Sequence, residues 1–183
     1  RDWERKEIEL VSNAIRVGFT TGQTNREITN NILNNGILDP KAKNNTAKNI
    51  KTMVRTATNH VSTVAREKTL QDNDDIVKGY KIVATLDSRT SNICRGYDQT
   101  IVYYNGTIKL AGGSRKKSKN KPRPPFHANC RTVTSPVLDE RFAFDDSSAK
   151  RGSVGLKRGQ VSADTDYYTW LKGHGAQGKK GQA

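Results

Sequence analysis

Large apolar side chains are scarce in this chain. Of its 183 residues, 9 are Leu, 11 Ile, 12 Val and 4 Phe, and the net charge is +14. That combination lies near the boundary at which chains stay disordered. The shortage is uneven. Residues 145–183 hold four of those 36 side chains but seven of the 15 glycines. One modest core is therefore expected within the first 144 residues, with a tail that orders only on a partner. No apolar run approaches the roughly 18 residues that cross a bilayer, so no membrane partner is expected. No secretory leader is expected either. Two cysteines exclude a disulfide framework and point to a reducing compartment. The chain opens at Arg1 and Met53 is its only methionine, which leads to the expectation of a fragment or a processed form.

Positive charge is what the chain has in excess: 32 Lys and Arg face 18 Asp and Glu. A polyanion is the natural counterpart, and the clustering of the charge favours nucleic acid over simple solubility.

Periodicity places helices first. Trp3, Ile8, Val11, Ile15 and Phe19 fall at helical spacing over residues 3–19. Thr24 followed by Glu27 is a capping-box signal for a second helix, carrying Ile28 and Ile32 and ending near Gly36. Asp39-Pro40 predicts a third start. Its stripe of Ala47, Ile50, Val54, Ala57, Val61 and Val64 runs to about Leu70, with Lys43, Lys48, Lys51, Arg55 and Arg66 off it.

The period then falls to two. Residues 80–86 alternate as a strand, and a polar segment from Asp87 to Gly96 carries Cys94. Residues 100–104 and 107–110 flank Asn105-Gly106, a tight hairpin signal. Residues 111–125 read as a loop with six cations and no acid, and residues 132–137 as a closing strand. The expected fold is α+β: N-terminal helices, one of them long, then a small antiparallel β-hairpin module and a Gly-rich basic tail. The expected division is a helical region over 1–78, the module over 79–140 and the tail over 141–183. In that tail a short helix with Tyr167, Tyr168, Trp170 and Leu171 is expected to dock on a partner.

Two groups of residues could carry function. Cys94, His127 and Cys130 have the donor chemistry of a zinc site, which in structural form takes four ligands. Asp87 or His60 could be the fourth, and a buried thiol pair beside a hydrogen-bonded histidine is the competing expectation. Arg115, Lys116, Lys117, Lys119, Lys121, Arg123 and Arg131 suit non-specific phosphate contact. No phosphate-cradling Gly-rich loop and no nucleophile–base pairing is present, so no catalytic residues are expected. The rival reading is a metal-dependent nuclease or effector-type enzyme acting on nucleic acid.

One order of residues is more specific. A helix ending in Val64-Ala65-Arg66-Glu67 leads to Asp87-Ser88-Arg89-Thr90, Cys94 and a hairpin. Pro124-Pro125-Phe126-His127-Ala128-Asn129-Cys130-Arg131 follows, then a strand ending at Pro136. This order resembles the phage head morphogenesis family, the minor head proteins similar to phage Mu protein F. The resemblance covers about residues 45–172 and includes Tyr168-Thr169-Trp170-Leu171. It also implies two further cysteines, where Ser91 and Thr132 stand here, so any metal site would be reduced and no cofactor is the expectation, with zinc the alternative. What the resemblance implies is a non-enzymatic minor virion component, aiding head assembly, DNA packaging or genome delivery. Its expected partners are a portal or major capsid protein and the double-stranded DNA genome. Its expected place is the capsid interior near the portal vertex, after assembly in the host cytoplasm.

Overall fold

A computed structural model describes residues 5–34, 43–142, 149–153 and 159–174. The chain divides by packing into two compact units, residues up to 62 with 127–129, and residues 63–126 with those from 130 on.

The first unit is helical. It contains α1 (Arg5–Thr20), α2 (Asn25–Asn34) and the beginning of α3 (Lys43–Gln71). Val11, Ile15, Ile28, Ile32, Ile50 and Val54 form its core, with Ala14, Met53 and Ala57 packed against them. The 3.6-residue spacing puts each helix's branched aliphatics on one side, and full burial of each contributes about 1.5–3 kcal/mol. The capping box forms: Thr24 N–H donates to Glu27 Oε2 at 2.7 Å, and Glu27 N–H to Thr24 Oγ1 at 3.3 Å. Trp3, Gly36 and the Asp39-Pro40 start lie outside the described residues.

The α3 stripe is buried at Ile50 and Val54, whereas Val61 and Val64 are each 39% exposed. From Thr63 onward the helix belongs to the second unit, where Thr63 itself is the buried side chain. The apolar stripe therefore outruns the core it serves.

The second unit is built on five antiparallel strands in the order β4-β3-β2-β1-β5. They are β1 (Val77–Val83), β2 (Ile101–Tyr103), β3 (Thr107–Lys109), β4 (Arg115–Lys117) and β5 (Val133–Leu138). Alternation turns Tyr80, Ile82, Val102 and Ile108 to one face, where they are buried with Tyr97, Tyr104, Leu110 and Phe126. Gly79 sits where a Cβ would fall 2.2 Å from the Val102 carbonyl oxygen, so only glycine admits that close strand approach.

Three local expectations are corrected. The 111–125 segment is not all loop, because residues 115–117 add the edge strand β4. The hairpin turn uses one positive φ, at Gly106 (85°), after a turn closed by Gly106 N–H on the Tyr103 carbonyl. It is a three-residue loop of the type I plus bulge kind. The polar 87–96 segment contains α4 (Asn92–Tyr97), capped by Ser91, whose hydroxyl accepts from Cys94 N–H.

The tail also differs from expectation. Residues 150–153 (β6) and 159–162 (β7) pair as a hairpin, and α5 (Tyr167–His174) follows, capped by Asp166. Tyr167 and Trp170 are buried with Leu86. The described part of the tail thus packs on its own unit.

Candidate functional site

Between Asp98 and Asp139 the chain has no acid, while it carries eight Lys and Arg. The fold divides those eight. Arg123 pairs with Glu67 at 2.7 Å. Arg131 grips the Asp87 carboxylate with both guanidinium nitrogens, at 2.5 and 2.8 Å. Lys121 donates to the Tyr104 carbonyl at 2.9 Å and lies 5.7 Å from that ring's centroid. The remaining five, Lys109, Arg115, Lys116, Lys117 and Lys119, have no acidic partner among the described residues. All three β4 side chains are exposed. A cavity of about 400 Å³ opens at the hairpin turn, lined by Asn105 and Gly106 and by Lys117, Lys119 and Lys121. Two of the seven cations expected to contact nucleic acid, Arg123 and Arg131, are therefore held in ion pairs. Lys109 was missed because it lies on a strand rather than in the basic run. Its signal was the alternation of Thr107-Ile108-Lys109.

In the first unit a second basic concavity of about 650 Å³ is lined by Arg26, Lys51 and Arg55, with Thr24, Asn25 and Thr29 around them. Lys51 and Arg55 are the off-stripe cations of α3.

Cys94 and Cys130 are both buried, with their sulfurs 3.6 Å apart. His127 stands three residues before Cys130 in the chain and falls in the first unit. Burial pushes the Cys94 thiol up from its ordinary value, which favours the protonated form. Of the two candidate fourth donors, Asp87 is taken. Besides Arg131, it accepts from Arg89 N–H and Thr90 Oγ1, each at 3.0 Å. The Arg131 hydrogen bonds hold the Asp87 carboxyl below its ordinary value. His60 belongs to the first unit. Within the second unit two thiols remain where a closed zinc site takes four donors, so the fit is incomplete among the described residues.

Asp87 and Asp98 anchor the tail. Tyr167 hydroxyl donates to the Asp87 carbonyl at 2.9 Å. Arg151 is buried and donates to both Asp98 carboxylate oxygens at 3.0 Å, to the Thr165 carbonyl at 2.7 Å and to the Ala84 carbonyl. Asp98 Oδ1 also accepts from Ala84 N–H at 2.8 Å. Sequence reading could not find this pair, because its members are 53 residues apart. Of the four side chains expected to dock on a partner, Tyr167 and Trp170 face inward, whereas Tyr168 is 53% and Leu171 36% exposed.

A unit built on an antiparallel sheet thus carries a thiol pair, an arginine-bound aspartate and a basic edge, and a helical unit precedes it in the chain. The family described as Phage Mu protein F like protein matches residues 9–135. The chain belongs to that family, and with it to the phage head morphogenesis proteins. No curated protein and no solved structure matches it.

Proposed function

We propose that this head protein works without catalysis in the capsid interior near the portal vertex, where it binds portal or major capsid protein and touches packaged duplex DNA. The observation that carries the DNA contact is the acid-free stretch, in which five cations lack an acidic partner among the described residues. Unpaired cations release counterions when they meet phosphates, and confinement with a genome supplies phosphates in excess. The helical region 1–78, the module 79–140 and the tail 141–183 divide the work in this reading. The module meets DNA, while Tyr168 and Leu171 on the outward side of α5 meet the protein partner.

The test is incubation of the chain with plasmid, with and without divalent metals. A mobility shift with intact plasmid, reversed by salt, is the expected result. Cleavage abolished by His127→Ala would replace this reading with the metal-dependent nuclease. No shift at low salt would remove the DNA contact.

A further inference from the structure

We propose that duplex DNA is seated on the outer face of the β3–β4 end of the sheet by Lys109, Arg115 and Lys117, acting as a cross-strand comb. The proposal rests on the DNA reading above and adds which face, and which cations, carry it.

The register makes the comb. Lys109 lies directly opposite Arg115, and Thr107 opposite Lys117. Ile101 pairs with Lys109 and also with Lys81, so one row across the sheet runs Lys81, Ile101, Lys109, Arg115. Side chains opposite each other in an antiparallel pair share a face. The other face is the core face of Tyr80, Val102 and Ile108, and Lys116, opposite Ile108, belongs to it. The alternation thus splits the basic run Arg115-Lys116-Lys117 two to one.

Two cations directly opposite each other repel, and sheets ordinarily avoid that pairing. Here the repulsion has no internal relief, since neither Lys109 nor Arg115 has an acidic partner among the described residues. An external anion between them converts the repulsion into a bridge. Spacing suits a polyanion better than a single ion. Neighbouring strands put Lys109 and Arg115 about 5 Å apart, and two residues along β4 put Lys117 about 7 Å from Arg115. A duplex carries one charge per roughly 1.7 Å of axis, so a patch of this size faces several phosphates in any register. The same row is neutralised where it crosses β1. Lys81 is bridged by Asp164 at 3.2 Å, which confines the unneutralised cations to the β3–β4 end.

Simple protection of an edge strand by charge also places Lys and Arg on β4, but it has no preference between faces. The experiment exploits that difference. Binding of the full chain to a short fluorescent duplex is followed by anisotropy over a salt series. Arg115→Ser is expected to lower the log–log salt slope by about 0.9, and Lys109→Ser/Arg115→Ser/Lys117→Ser by roughly two to three. Lys116→Ser is expected to leave the slope unchanged. Thr107→Lys adds a cation beside Lys117 and is expected to raise it, which provides the test even if the triple variant unfolds. Equal losses for Arg115→Ser and Lys116→Ser would overturn the comb in favour of diffuse charge. An unchanged slope in a folded triple variant would place the contacts elsewhere while the DNA reading stands. A wild-type chain that binds no duplex would remove both. Equal competition by single-stranded DNA would overturn the duplex as occupant.

Discussion

The two ends of the sheet unit treat positive charge in opposite ways. Near the tail, Arg131 is locked on Asp87, which also accepts from Thr90 Oγ1, and Arg151 is locked on Asp98 and donates to the Ala84 and Thr165 carbonyls. At the β3–β4 end, Lys109, Arg115 and Lys117 share one face of the sheet and have no acidic partner among the described residues. Arginine stands at both ends. What differs is whether an aspartate comes within reach, and that separates a structural clamp from a face of unneutralised charge.

The sharpest way to break this comparison is Asp98→Ala. It leaves the Arg151 guanidinium buried without its carboxylate, and removal of one member of a buried pair costs about 3–5 kcal/mol. Urea unfolding should register that loss, and protease should cut first between residues 149 and 174. A cost below about 1 kcal/mol would mean that water reaches the pair, and that the two ends differ less than their geometry says.

Next in size is acid sensitivity. The Asp87 carboxyl is held below its ordinary value of 3.8, chiefly by Arg131. Its contribution to stability is therefore present above that value and lost as pH falls below it, through the depressed folded value. Melting temperature should drop on going from pH 5 to below about pH 3, and Arg131→Gln should flatten that drop. An equally steep drop in Arg131→Gln would assign acid sensitivity to other carboxylates.

The smallest effect runs the other way. Arg115→Thr removes a like-charge pair and should stabilise the isolated chain by about 0.2–1 kcal/mol, read as a raised urea midpoint, even as it weakens DNA binding. Destabilisation would mean that the β4 cations already have structural work in the free protein.

Much of the fold was legible because its elements are periodic. The helical core residues Val11, Ile15, Ile28, Ile32, Ile50 and Val54 all fall on the predicted stripes. What escaped was short or charged. Helix α4 is six residues long, too short for periodicity to declare itself, and depends on the Ser91 cap. Strand β4 is three consecutive cations, a composition that reads as loop until the hairpin register pulls it into the sheet. The tail was misjudged because Leu, Ile, Val and Phe were taken as the measure of burial. Its anchors are Tyr167 and Trp170, and such rings bury roughly 150–250 Å² each. At the candidate site, the donor chemistry of Cys94, His127 and Cys130 was visible in the sequence. The capture of Asp87 by Arg131, 44 residues away, was not.

Strand order has a consequence for synthesis. The meander β1-β2-β3-β4 is local, but the fifth strand, on the other side of β1, begins 50 residues after β1 ends. At about 5–20 residues per second, a ribosome makes β1 wait roughly three to ten seconds for β5. Until then the edge of β1 offers the backbone of Val77–Val83 to any passing strand, whereas the opposite edge is already guarded by the cations of β4. A nascent chain stalled before Val133 would carry one protected edge and one open one, and aggregation would begin at the open one.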